Sequence, residues 1–116
     1  MARPNKIKKV CSMPKFKTFI ASGSNIDKVE KIGVEEYEAI RLIDYQGFNQ
    51  EKAAEKMNIA RTTLQSLYEK ARKSLAKVMV EGGTFVIDGG NYHLCDGLEK
   101  SCDCGGCEKH RKKKTL

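Results

Sequence analysis

Apolar residues recur at helical spacing in the middle of the chain. Within residues 34–45, Tyr37, Ile40 and Ile43 fall on one side of a helix, and three glutamates stand near its start, where the helix dipole favours negative charge. Gly47 follows and is expected to close the helix. This pattern predicts a first amphipathic helix over residues 34–45.

A second, shorter helix is predicted over residues 49–56. Asn49 can cap its N-terminus, and Ala53, Ala54 and Met57 form its apolar side. The small alanine side chains allow another helix to approach this side closely.

A third and longer helix is predicted over residues 61–80. Asn58 precedes it and suits a left-handed turn, a conformation that asparagine tolerates better than most residues. A glycine pair at 82–83 is expected to stop the helix. Its apolar stripe consists of Leu64, Leu67, Ala71, Leu75 and Val78.

Short β-prone runs flank the helices. Residues 15–20, 84–87 and 92–94 each predict a strand, and the turn residues at 88–91 separate the last two. A pairing of 15–20 with 84–87 would clamp the two ends of the helical unit.

The second and third helices are separated by a turn of about three residues, which is typical of a helix-turn-helix. If Leu64 points inward, a period of 3.6 residues turns Arg61, Thr62, Gln65 and Ser66 outward near the start of the third helix. These are groove-reading side chains, because arginine pairs with guanine, glutamine with adenine, and threonine offers a hydroxyl and a methyl group. An ordinary three-helix core with a solvated polar face would show a similar pattern.

Positive charge is concentrated where a polyanion could be held. The chain has 22 Lys and Arg against 15 Asp and Glu, a formal net charge of +7, and such an excess also serves simply to keep a small protein in solution. Glu69 is expected to pair with Lys73 four residues later. The predicted phosphate-contacting residues are Lys70, Arg72 and Lys73 on the third helix and Arg3, Lys6, Lys8 and Lys9 near the N-terminus.

These features predict a mainly α fold, a three-helix helix-turn-helix DNA-binding domain with short β-strands at its N- and C-terminal edges. Residues 1–33 are interpreted as a basic N-terminal arm, residues 34–94 as the helix-turn-helix domain with its C-terminal strands, and residues 95–116 as a tail rich in cysteine and lysine.

Two resemblances support this interpretation. The stretch with EAIRL at 38–42, then a glycine, then QEKAA at 50–54 resembles region four of bacterial sigma factors. Residues 1 to about 94 resemble Uncharacterised Protein Family 0251, small prokaryotic proteins predicted to bind DNA. The matching pieces are RP at 3–4, CSMP at 11–14, EAIRL, QEKAA, RTT at 61–63, EG at 81–82 and GGNY at 89–92.

The family resemblance implies a winged-helix-like or sigma-like DNA-binding fold and no known catalytic activity. Asn58 and Ala60 stand where the family pattern usually has glycine and serine. The third helix therefore lacks a side-chain N-cap, which costs about 1 kcal/mol by analogy with capping substitutions.

The tail holds soft metal ligands at short spacing. Thiolates and imidazoles in this arrangement can bind zinc or an iron-sulfur cluster. The same residues are also compatible with copper binding, with thiol redox chemistry, or with a reduced tail that has no specific role. No cofactor is certain. The simplest ligand set is Cys95, Cys102, Cys104 and Cys107, with His93, His110 and Cys11 as alternates. Cys11 has a second interpretation, as a small buried residue beside an apolar strand.

Several classes of protein are disfavoured. No apolar run is long enough to span a bilayer and no signal peptide is visible, so a cytoplasmic protein without a membrane partner is expected. No nucleophile, base and orienting group can be placed together, so we expect no enzyme activity.

The predicted function is sequence-specific binding of double-stranded DNA, in transcriptional regulation. RNA polymerase and a second copy of the chain are further candidate partners. A metal-binding or redox-sensing adaptor and an RNA-binding protein stay open as alternatives.

Overall fold

A computed structural model of the protein describes residues 8–94. These residues form three helices and five short strands, as expected for a mainly α fold with strands at its edges. None of the described helices combines the length and hydrophobicity needed to cross a membrane.

The three predicted helices are confirmed with small shifts at their ends. Helix α1 spans Val34–Ile40 and continues without a break into a π-helical turn at Arg41–Tyr45. Helix α2 spans Gln50–Met57, and helix α3 spans Arg61–Glu81. The π turn was not predicted, because an apolar pattern over so few residues does not distinguish a period of 3.6 from the wider period of a π turn.

The strands form two small sheets. They are β1 (Lys8–Val10), β2 (Thr18–Ile20), β3 (Val29–Ile32), β4 (Thr84–Ile87) and β5 (Tyr92–Leu94). Strand β4 lies between β2, which is antiparallel to it, and β3, which is parallel, whereas β1 pairs with β5 in parallel. The pairing of 15–20 with 84–87, which would clamp the ends of the helical unit, is present over Thr18–Ile20, with Phe19 opposite Phe85.

Strands β1 and β3 were missed in the sequence. Residues 8–32 accordingly do not form a separate arm, contrary to the expectation for 1–33, because they supply Val10, Cys11 and Ile32 to the core. Both strands are short and carry lysines, so their local pattern is weak and depends on the partner strands that the fold brings to them.

Helix α3 joins two clusters of buried side chains. The first cluster packs α1, α2 and the start of α3 together, and the second packs the rest of α3 against the strands. The first consists of Cys11, Ala39, Leu42, Ala53, Ala54, Met57 and Leu64. The second consists of Val10, Ile32, Val34, Ala71, Val78, Phe85 and Ile87.

A buried ion pair joins α1 to the start of the π turn. Arg41 donates through Nε to Oε1 of Glu38 at 2.6 Å and through Nη2 to Oε2 at 2.8 Å, and the two side chains are 7% and 1% exposed. The backbone N–H of Cys11 also donates to Oε2 of Glu38, at 3.0 Å. One carboxylate therefore connects α1 to the segment that follows β1.

A second buried carboxylate fixes the loop before β5. Glu35 accepts a hydrogen bond from the backbone N–H of Asn91 at 2.9 Å, and it packs against the backbone of Gly33 and Gly90. A side chain at Gly90, whose φ is +110°, would collide with this carboxylate. The close approach accounts for a glycine directly before Asn91.

Replacing Glu38 with alanine is expected to lower the free energy of unfolding by about 3–5 kcal/mol, because a buried guanidinium would lose its carboxylate. Urea denaturation measures the change. Lys52→Ala is the control, since it removes an exposed ion pair with Glu55 and should change stability by only about 0.5 kcal/mol or less. Equal effects of the two substitutions would show that the buried pair is not a main source of stability.

Candidate nucleic-acid interface

Two asparagines shape the ends of α2, one before the helix and one in the turn that leads to α3. The side chain of Asn49 accepts a hydrogen bond from the backbone N–H of Lys52 at 2.8 Å, and so caps α2 as predicted. Asn58 has φ 57° and ψ 43°, the predicted left-handed conformation. Its N–H and that of Ile59 donate to carbonyl groups in the last turn of α2. These bonds reverse the chain within residues 58–60.

Small and apolar side chains hold the two helices together. Ala53, Met57 and Leu64 are fully buried in the first cluster, with Ile59 and Leu67 packed against it. Ala53 is small and fully buried, as expected where two helices meet over a short connection. The orientation of the start of α3 is therefore set by packing against α2.

The opposite side of the first turns of α3 faces solvent. Arg61, Thr62, Gln65 and Ser66 are all exposed, while Leu64 is buried, as the helical period predicts. Nε2 of Gln65 donates to Oε1 of Glu69 at 3.2 Å. Because this bond is exposed, the Gln65 amide can exchange it for another partner at little cost.

Glu69 does not form its predicted ion pair with Lys73. The structure shows its bond to Gln65 instead, and no ion pair joins Glu69 and Lys73, both of which are described. An exposed i,i+4 pair contributes only a few tenths of a kcal/mol, roughly, so a neighbouring amide can replace it.

Arg72 is held against the π turn. The hydroxyl of Tyr68 donates to Oδ1 of Asp44 at 2.7 Å, and Nη1 of Arg72 donates to the Tyr68 oxygen at 3.1 Å. The guanidinium also lies 5.3 Å from the centre of the Tyr68 ring and 3.8 Å from Asp44. Burial, followed by the hydrogen bond to Asp44, raises the pKa of Tyr68 above its ordinary value.

The other cations of α3 differ from Arg72. Lys70 and Lys73 are exposed, and neither forms an ion pair with another described residue. Lys77 lies one turn further along, 3.8 Å from a carboxylate oxygen of Glu30. Arg61, Lys70 and Lys73 are thus the cations of α3 that form no ion pair with another described residue.

The predicted basic arm is only partly described. Lys8 is half-buried in β1, and Lys9 is only 4% exposed in the same strand, so Lys9 is not an exposed arm residue as predicted. Adjacent residues of a strand point to opposite faces, and both Lys9 and Val10 are buried, so β1 is covered on both faces at this point. Arg3 and Lys6 lie outside the described residues.

The predicted metal ligands are not brought together in the described part of the chain. His93 is exposed in β5, whereas Cys11 is buried in the first cluster, as its second interpretation predicted. Residues 8–94 contain no group of three or more potential ligands placed to hold a metal ion. Cys95, Cys102, Cys104, Cys107 and His110 lie outside the described residues.

Two residues of the candidate interface, Thr63 and Tyr68, were not among the residues predicted from the sequence. Thr63 is exposed in the first turn of α3, beside Thr62. The buried residues Leu64, Ala71 and Val78 repeat every seven residues and form a narrow stripe along α3. The rest of the first helical turn, including Thr63, is therefore exposed to solvent. The seven-residue spacing in the sequence could have indicated that Thr63 is exposed. The bond between Tyr68 and Asp44 could not be predicted in this way, because it depends on tertiary packing.

Comparison with known proteins places the chain in a family. A family model described as "Protein of unknown function DUF134" matches residues 1–95. This chain belongs to that family. The match covers all described strands and helices, so this DUF134 protein carries its candidate interface inside the family region.

Three relatives with the name UPF0251 protein confirm the resemblance noted in the sequence. The one from Desulfitobacterium hafniense (strain DSM 10664 / DCB-2) is 49% identical over 115 residues, which cover 97% of this chain and 91% of the relative. The one from Clostridium acetobutylicum is 42% identical over 106 residues, covering 90% and 74%. The one from Chloroherpeton thalassium is 41% identical over 107 residues, covering 90% and 71%. No solved structure matches this DUF134 chain.

The substitution Ala60→Ser is expected to stabilise the protein by about 0.5–1 kcal/mol. Ala60 has the extended conformation of an N-cap residue, φ −68° and ψ 149°, and no side-chain cap is present. A serine hydroxyl can accept a free N–H of the first turn of α3. Thermal or urea denaturation measures the gain.

The matched control is Ala76→Ser, the same change at an exposed position inside α3. It should destabilise the protein by up to about 0.5 kcal/mol, because serine is a weaker helix former than alanine. A loss of stability in both variants would contradict the capping argument.

Proposed function

We propose that this protein binds double-stranded DNA in a sequence-specific manner and regulates transcription, with α2 and α3 acting as a helix-turn-helix. The observation that carries the proposal is the exposed set Arg61, Thr62, Gln65 and Ser66 at the start of α3, opposite Leu64. Helix-turn-helix proteins read bases with this part of their second helix.

The dimensions of this set suit a major groove. Positions 61 to 66 rise about 7.5 Å along a helix axis at 1.5 Å per residue. Base pairs are stacked about 3.4 Å apart, so the set spans about two base-pair steps. Arg61 can donate twice to O6 and N7 of guanine, and Gln65 can pair with N6 and N7 of adenine.

Phosphate contacts further along α3 are proposed to position the protein on the DNA duplex. Lys70 and Lys73 carry uncompensated charge, and their ammonium groups can replace counterions on the phosphates. Arg72 already contacts Asp44 and Tyr68, so a phosphate would have to compete with an existing ion pair. Lys70 and Lys73 are therefore proposed to contribute more to the affinity for DNA than Arg72 does.

Duplex DNA suits this surface better than RNA. The deep, narrow major groove of A-form RNA does not admit a helix, whereas the major groove of B-form DNA does. Action on chromosomal DNA would take place in the cytoplasm of a prokaryotic cell. Pairing of two copies on adjacent half-sites, and contact with RNA polymerase, stay predictions of the same proposal.

Selection of binding sites from random double-stranded DNA, followed by titration across a salt series, tests base reading. The double variant Arg61→Ala, Gln65→Ala should lose selectivity by about 1–3 kcal/mol for each base pair that it no longer reads. The dependence of affinity on salt should be nearly unchanged except for the charge of Arg61. Both side chains are exposed, so the fold should be retained.

Lys31→Ala is the control for this experiment, since Lys31 is exposed on β3 and lies 3.9 Å from Asp88. It should leave both selectivity and affinity unchanged. If the wild-type protein selects no sequence, or if the double variant selects the same one, α3 is not a base-reading helix.

A second double variant, Lys70→Ala and Lys73→Ala, separates phosphate contact from base reading. It should weaken binding to all sequences alike and reduce the slope of log affinity against log salt by about 2, one unit for each lost phosphate contact. Arg72→Ala should change the slope less. A larger effect from Arg72→Ala would show that its pairing with Asp44 breaks on binding and that the assignment of phosphate contacts is wrong.

A further inference from the structure

A groove of about 500 Å³ lies between the segment after β1 and the outer side of α1 and the π turn. Its volume is within the range of about 300–1,000 Å³ that is usual for small-molecule sites. It does not include any of the residues assigned above to base or phosphate contact. The side chains that matter for the argument are Lys15, Phe16, Phe19, Tyr37, Arg41 and Tyr45.

Aromatic side chains are concentrated in this groove. The chain has four phenylalanines, four tyrosines and no tryptophan, and four of these eight aromatic residues line it. Phe16 is 74% exposed and Tyr45 is 81% exposed. Large apolar groups are usually buried when nothing binds them, so a cluster of exposed rings indicates a binding surface.

Two walls of the groove are held in place by the core. The ring of Phe19 lies 6.2 Å from that of Phe85, which is buried. The other wall is the π turn, where the N–H of Gln46 donates to the carbonyl of Arg41 at 2.9 Å. π-helical turns are rare and are found frequently at functional sites. Here the turn places Tyr45 on the groove.

The charge of the groove is positive. Arg41 is neutralised by Glu38, whereas Lys15 is exposed and forms no ion pair with any described residue. No aspartate or glutamate is among the described residues that line the groove. A ligand with one negative charge beside a flat apolar body would match this combination, because Lys15 could pair with the charge and the rings could stack on the body.

We propose that the groove binds a small planar aromatic carboxylate. The ring system of the ligand lies among Phe16, Phe19 and Tyr45, and its carboxylate pairs with the ammonium group of Lys15. The volume of this open groove suits a molecule of one to three fused rings rather than a folded partner. This proposal does not depend on DNA binding.

The test is calorimetric and NMR titration of the full chain with benzoate, naphthoate and anthracene carboxylate, together with the uncharged naphthalene methanol. At least one carboxylate should bind saturably in a 1:1 ratio, more tightly than the alcohol. Resonance shifts should concentrate on the aromatic rings of the groove. The absence of saturable binding by all three carboxylates at millimolar concentration would overturn the proposal.

Variants locate the site. Phe16→Ala combined with Tyr45→Ala should weaken carboxylate binding about tenfold or more, because two ring contacts are lost. Lys15→Gln should weaken binding of the carboxylate but leave binding of naphthalene methanol unchanged. Val80→Ala is the control, since Val80 is 84% exposed on α3 and does not line the groove, and it should change neither.

Two results would contradict this assignment of the site. One is equal affinity of the double variant and the wild-type protein. The other is a dimer, measured by sedimentation, that the double variant converts to a monomer while no carboxylate binds, because the rings would then be a contact between two copies of the chain.

Discussion

The buried ion pair between Glu38 and Arg41 is the constraint on which the rest of the structure depends. A carboxylate and a guanidinium with so little exposure are stable only when each finds the other and their remaining hydrogen-bonding atoms are satisfied. That requirement brings the backbone N–H of Cys11 to Glu38 and so attaches the segment after β1 to α1. The residues that follow the two members of the pair in the chain, Ala39 and Leu42, are fully buried.

The ion pair lies at the point in the chain from which the elements of both proposed sites follow. On one side, the π turn starts at Arg41 and forms a wall of the aromatic groove. On the other, the carbonyl of Leu42 accepts the N–H of Phe48, which leads the chain into α2 and then to the start of α3. Base reading and ligand binding would thus share one rigid centre while using different surfaces.

Much of the helical part could be predicted because its causes are local. A period of 3.6 residues located all three helices, the cap at Asn49 follows from its side-chain oxygen, and the left-handed turn follows from the tolerance of asparagine at position 58. The same period predicted which side of α3 faces solvent. The strands β1 and β3 could not be predicted in this way, because three or four residues carry little periodicity and their partners come from distant parts of the chain.

The sequence by itself determined the helices, the strands at 84–87 and 92–94, the family and the exposure of Arg61 and Gln65, since each rests on residue types at short spacing. Only the tertiary structure decided that Lys9 is buried, that Arg72 is held by Asp44 and Tyr68, and that Phe16 and Tyr45 share a groove. Lys9 is paired with His93, 84 positions away, Arg72 lies 28 positions from Asp44, and Phe16 lies 29 positions from Tyr45. Such contacts depend on how the elements pack, which no local pattern specifies.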